Sequence, residues 1–202
     1  MPTLLLCVLV FMFLFRRRLH TIEKEEQKSE AQYLERERKA SLPIKRSLND
    51  LSFLTIPSTL PFHPDATGAL LTCEQTMQSL SSKQICNLSG ISNTDLKLKY
   101  GAGNLELLAS YDENYTLLLR TLADWSELLF QQGFDADAIT VAKYAISCGS
   151  DVRKTYAVLA TIYKKQGNLQ ALYDLLPVAQ KNSRTLDLKK VVYEVINQPE
   201  LS

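Results

Sequence analysis

Leu129–Ile139 reads LFQQGFDADAI, and Ile162–Leu172 reads IYKKQGNLQAL. Each stretch ends one apolar helical pattern with a Gln-Gly pair and opens another just after it. The two glycines, Gly133 and Gly167, lie 167 − 133 = 34 residues apart. A glycine after the last apolar residue of a helical pattern marks a helix end, because glycine takes a left-handed backbone at little steric cost. Two such reversals at a fixed interval predict two helix pairs in series.

With Leu119–Val152 as one unit and the next starting at Arg153, the apolar positions fall into register. Leu122 aligns with Tyr156, Trp125 with Leu159, Ser126 with Ala160, Leu129 with Tyr163 and Ala145 with Ala179. This pattern resembles the tetratricopeptide repeat (TPR) family over about residues 119–186. The resemblance implies antiparallel helix pairs stacked as an α-solenoid. Ser126 or Ala160 would let the second helix approach the first closely, and Ala138, Ala142 and Ala145 would keep that second helix thin. Some positions depart from the family: Ser150 stands where it has proline, and Leu172 and Leu176 replace a small and an aromatic residue. Pro177 is expected to kink or shorten its helix. Leu188, Val191, Val192, Val195 and Ile196 form a stripe at helical spacing before Pro199. They resemble the capping helix, residues 187–198, that closes the last apolar face of such a stack. The alternative is an irregular helical bundle whose period is accidental.

The resemblance also implies a partner groove lined by the first helix of each pair. Carried over position by position, its residues are Arg120, Ala123, Glu127 and Phe130, then Lys154, Ala157, Thr161, Lys164 and Lys165. Four are basic, which suits an acidic peptide or a C-terminal carboxylate. The family's clamp for chaperone tails needs asparagines where Glu127 and Thr161 stand, which argues against that ligand. The competing reading of the lysines is a solvated surface.

The N-terminus has a different character. Pro2–Phe15, PTLLLCVLVFMFLF, is apolar throughout and runs into Arg16, Arg17 and Arg18. A helix of this length reaches about 21 Å against a hydrocarbon core of about 30 Å, a shortfall that snorkelling arginines and local thinning can accommodate. A secretory signal peptide would carry its charge before the apolar run and a small-residue cleavage site after it. The expectation is therefore a retained single-pass anchor, residues 1–18, in contact with membrane lipid through residues 2–18. Arginines on its C-terminal side place the N-terminus outside and the C-terminal domain in the cytoplasm. With that orientation the acceptor-like triplets at Asn87 and Asn114 are chance matches.

Residues 19–42 are rich in strong helix formers, with both charges and no apolar stripe, and predict a charged, partly helical stalk. Residues 43–64 contain four prolines yet remain apolar, so Phe53, Leu54, Ile56, Leu60 and Phe62 are expected to lie as an extended strap on the helical domain, residues 65–202. A short partner-binding segment is the other possibility for that stretch. The gaps between elements supply helix signals: Asp65 or Thr67, Asn93 or Thr94, and Asp112 as N-caps, Gly101 as a stop. GAGN at Gly101–Asn104 has no strand before it and no third glycine, so it reads as a turn between helices and not as a phosphate loop.

Little in the chain points to catalysis. Its two histidines, His20 and His63, stand in no nucleophile or metal motif, and its four cysteines are widely spaced. No catalytic residue, cofactor or metal is assigned, and a formal charge of +1 gives no global attraction for nucleic acid. The expected protein is all-α: a short N-terminal membrane helix, a charged stalk, and a TPR-like domain with a C-terminal capping helix. Its expected role is that of a non-enzymatic adaptor or scaffold that binds a protein or peptide. A structural subunit of a membrane complex is the alternative, and an enzyme a distant third.

Overall fold

A computed structural model describes residues 28–198, with Met12, residues 15–18 and Glu25 before them. Among these residues every regular element is a helix, and the only β pairing is an isolated bridge between Phe53 and Cys86. No helix among them is long and apolar enough to cross a membrane. The run Pro2–Phe15 lies outside the described residues apart from Met12 and Phe15, and so does His20. We number the helices α1 (28–40), α2 (Gly68–Ser81), α3 (Asn93–Tyr100), α4 (Leu105–Gln131), α5 (Asp135–Ser147), α6 (Arg153–Lys165), α7 (Leu169–Asn182) and α8 (Leu188–Asn197). The chain divides into two compact units, Met1–Asp50 with Gly90–Leu108, and Leu51–Ser89 with Ala109–Ser202.

The first unit is held largely by polar contacts. Arg36 pairs with Asp95, the Thr94 hydroxyl donates to the Glu37 carboxylate, and Lys97 Nζ lies 3.7 Å from Glu37. Arg36 and Glu37 of α1 thus find partners on α3, while Glu35 pairs within α1 with Arg38 and Lys39. Beyond α1 the chain runs extended, and the Arg46 N–H donates to Tyr100 O at 2.9 Å. Asn104 Nδ2 returns two bonds, to Arg46 O at 2.8 Å and Tyr100 O at 2.9 Å. The cap of α3 is Ser92, whose hydroxyl accepts the Asp95 N–H at 3.1 Å, one residue before the sequence expectation of Asn93 or Thr94. Gly101 stops α3 at φ +86°. A 3-10 turn, Ala102–Asn104, then leads straight into α4. No fresh start is needed at Asp112, which sits inside α4 and accepts the Leu88 N–H at 3.2 Å.

The second unit is a run of helix pairs. Its α5 packs on α6, α6 on α7, and α8 on both α6 and α7. Leu118, Leu122, Trp125 and Leu129 of α4 share one core with Met77 and Leu80 of α2, Ala138, Val141 and Ala145 of α5, and Ile162 of α6. A second core joins Tyr156, Leu159 and Tyr163 of α6 to Leu172 and Ala179 of α7 and Leu188, Val192 and Val195 of α8. The reversals repeat bond for bond. The N–H groups of Gln132, Gly133 and Phe134 donate to Leu128, Phe130 and Leu129; those of Gln166, Gly167 and Asn168 donate to Ile162, Lys164 and Tyr163. Every partner in the second set is 34 residues beyond its counterpart in the first. Ser126 and Ala160 are both fully buried, as are Ala145 and Ala179, so small side chains recur where the helices come closest. Pro177 lies within α7, yet the helix continues to Asn182. The proline leaves the carbonyl one turn back without its helical donor. That carbonyl belongs to Tyr173, which is exposed.

Residues 51–64 pack on this unit as a strap. Leu60 is buried, and Leu54, Ile56 and Phe62 pack against the first core. Phe62 lies 5.1 Å from Trp125, ring to ring, while Phe53 is half exposed with its edge on Tyr111. The strap runs antiparallel to α5: Tyr144 Oη donates to Thr55 O at 3.1 Å, and the His63 ring meets Asp137 Oδ2 at 3.1 Å. His63 N–H also donates to the buried Glu74 carboxylate at 3.0 Å.

Gly133 and Gly167 have φ of +85° and +65°, with open space where a Cβ would stand. Gly133→Val and Gly167→Val should therefore each lose about 1–2 kcal/mol through backbone strain alone. At Gly101 a Cβ would overlap the Ile44 carbonyl oxygen, so Gly101→Ala should cost more than Gly133→Ala. Thermal melts of the four variants test this order, and equal melts for all four and the parent would refute it.

Candidate functional site

The face expected from sequence to bind a partner is built by α4 and α6, but its three lysines are already engaged. Lys154 Nζ lies 2.8 Å from Asp124 and 2.7 Å from Glu127. Both carboxylates raise the Lys154 pKa through their hydrogen bonds, so the ammonium stays charged and shared. Lys165 pairs with Asp135 at 2.8 Å and stands 5.6 Å from the centre of the Phe130 ring. Lys164 turns to the end of α8, donating to Val195 O at 2.8 Å and Ile196 O at 3.1 Å, and to Gln198 O. An ammonium at a helix C-terminus satisfies carbonyls that have no helical donor and complements the helix dipole.

The structure brings Glu127 together with Lys154, and Phe130 with Lys165. It does not gather the nine residues into one basic patch. Thr161 spends its hydroxyl on Ala157 O at 2.8 Å, in its own helix, and Ala123 is buried. Arg120 is exposed and lines a shallow depression with Asp112, Asp151 and Arg184. Two participants were missed from sequence, Asp124 and Asp135. Each stands 30 residues before its lysine, one repeat less about one helical turn, so opposite charges at that interval were the available signal.

One end of this face is fixed by two tyrosines. Tyr115 Oη donates to Cys148 O at 3.0 Å and accepts from Asn87 Nδ2 at 3.0 Å. Tyr156 Oη donates to Ser150 O at 2.8 Å and accepts from Asn182 Nδ2 at 2.9 Å. Together they clamp the turn between α5 and α6. Burial raises the pKa of both phenols, and of Tyr144 and the Cys148 thiol, because the anion would be poorly solvated. Among the described residues no group of three or more His, Cys, Asp or Glu side chains could hold a metal ion.

No protein-family model, curated protein or solved structure matches the chain. The class the coordinates define is therefore architectural: an all-α protein whose second unit is a series of packed helix pairs.

Two measurements check this account. Lys164→Met should lower stability by about 1–2 kcal/mol, because carbonyls at the end of α8 lose their donor. Lys154→Ser and Lys165→Ser break half-exposed pairs and should each cost less than about 1 kcal/mol. Equal losses in urea titrations would remove the special role of Lys164. The raised phenols and thiol set the alkaline limit. They ionise first in the unfolded chain, near their ordinary values of 9.0 for the thiol and 10.0 for the phenols. Their contribution is thus complete below about pH 9 and is lost as pH rises through the folded values. The urea midpoint should fall above about pH 9 and more steeply above about pH 10, whereas a flat midpoint would mean that the phenols reach water.

Proposed function

We propose that this chain is a membrane-tethered protein-interaction module of TPR-like helix pairs, which recruits or scaffolds a protein or peptide partner on the cytoplasmic face. The observation that carries the reading is the repeated reversal: the Gly133 and Gly167 turns use the same hydrogen bonds at an interval of 34 residues. Burial follows the same interval, with Leu122 over Tyr156, Trp125 over Leu159, and Ser126 over Ala160. Support for the tether is the apolar run Pro2–Phe15 followed by three arginines. The partner face would be α4 and α6, with Arg120, Glu127, Phe130, Lys154, Thr161, Lys164 and Lys165 in the roles assigned from sequence. Because Lys154 and Lys165 already hold carboxylates, an acidic partner would bind by exchanging Asp124, Glu127 and Asp135 for its own acids.

A second reading, a structural subunit of a membrane complex, draws on α7. Leu169, Tyr173 and Val178 are exposed there, and Leu169, Tyr173 and Pro177 recur every four residues along one side. An apolar stripe of that kind suits a permanent interface.

Full-length protein should stay with membranes through an alkaline carbonate wash, and deletion of residues 1–18 should release it. Release of the intact chain by the wash would defeat the tether. Partner capture on the deleted form should weaken with salt if the charged face binds, and should survive salt if the α7 stripe does. Labelling of an added C-terminal cysteine by an impermeant reagent in intact cells would defeat the cytoplasmic placement.

A further inference from the structure

We propose that the corner between α7 and α8 is a docking surface for an anionic lipid bilayer, with Lys181, Lys189 and Lys190 on the headgroups and Leu186 and Tyr193 in the interfacial layer. Leu186 is 56% exposed and Tyr193 42%, although each lies within two residues of a buried member of the second core, Leu188 and Val192. Residues 189, 193 and 197 recur every four positions along α8 and Lys190 lies within the same arc, so the helix presents these four on one side, with Leu186 two residues before its first turn. Lys189 Nζ lies 5.9 Å from the centre of the Tyr193 ring, and Lys190 and Tyr193 line the same open depression with Asn197.

The local charge is net positive. Among the described residues Lys181, Lys189 and Lys190 have no acidic partner, whereas Lys154 and Lys165 do. The nearby acids are committed elsewhere. Asp187 accepts the Lys190 N–H at 3.2 Å as the cap of α8, and Glu194, which also lines the depression, pairs with Arg153 at 2.6 Å. Exposed leucine and tyrosine beside lysines suit the boundary between headgroups and acyl chains. A fluid headgroup layer conforms to a protruding side chain, and lysines act on it as point charges. The contact rests on the proposed tether for its local concentration only, not for its chemistry.

The test uses the full chain carrying Leu186→Trp. Trp125, the one native tryptophan, is fully buried and serves as a constant background. With phosphatidylserine-containing vesicles the emission should shift to the blue, with no shift on phosphatidylcholine alone, and salt should reverse the shift. Adding Lys181→Glu, Lys189→Glu and Lys190→Glu should abolish the shift while the melting curve is unchanged. An equal shift on both vesicles, no shift on either, a shift with inorganic phosphate alone, or a shift retained in the charge-reversed chain would each overturn the proposal. Sedimentation with phosphatidylcholine reports the tether separately. A chain that sediments without a shift keeps the tether and loses this contact, and a chain that shifts only on phosphatidylserine without sedimenting on phosphatidylcholine does the reverse.

Discussion

The reversals at Gly133 and Gly167 solve one problem twice, and the second unit depends on that solution. A helix leaves its last carbonyls without donors, and the next helix must begin within a few residues if it is to pack back on the first. A left-handed glycine turns the chain so that the following N–H groups reach back to those carbonyls. The bonds from Phe134 to Leu129 and from Asn168 to Tyr163, both 2.9 Å, do this in each pair. The α5–α6 link uses a third such glycine, Gly149, at φ +83°. At the corresponding place after α7 stands Ser183, with φ −65°, and its hydroxyl instead accepts the Leu188 N–H at 3.1 Å. The chain therefore changes its type of link between α7 and α8.

Close approach of the helices follows from residue size. Ser126, Ala138, Ala142, Ala145, Ala160 and Ala179 are all fully buried, and bulky neighbours such as Trp125 and Tyr156 fill the space on either side. The strap completes the same core. Trp125 packs against Phe62, and its indole N–H finds no acceptor among the described residues, a cost that the apolar contact must outweigh. Pinning at Thr55 and His63 fixes the direction of the strap along α5, which apolar contact alone would leave open.

Charge plays a different part in each unit. In the first, α1 and α3 meet through Arg36–Asp95, a pair too exposed to be worth much singly, and through the part-buried contacts of Glu37. In the second, lysines bridge neighbouring helices, Lys154 from α6 to α4 and Lys165 from α6 to α5. These pairs set register more than stability. They also explain why a face that reads as basic in sequence is close to neutral in the folded chain.

What sequence determined by itself was local. Apolar spacing placed the helices from Leu118 onward, glycines placed the reversals, and the interval of 34 predicted that they would match, because turn chemistry and helical periodicity act within a few residues. The apolar character of residues 51–62 pointed to a strap for the same reason. Asp112 was misread as a cap because an aspartate can start a helix or sit inside one, and only the turn at Ala102–Asn104 shows that α4 had already begun. The division into units was beyond local reading, since Gly90–Leu108 joins the N-terminal residues across the whole of Leu51–Ser89. Likewise, the chemistry of Lys154, Lys164 and Lys165 is identical in sequence. Tertiary structure alone sends one to a pair of carboxylates, one to the end of α8 and one to Asp135 and Phe130. A long flexible side chain takes whichever acceptor the packed helices bring within reach, and that is decided by contacts 30 or more residues away.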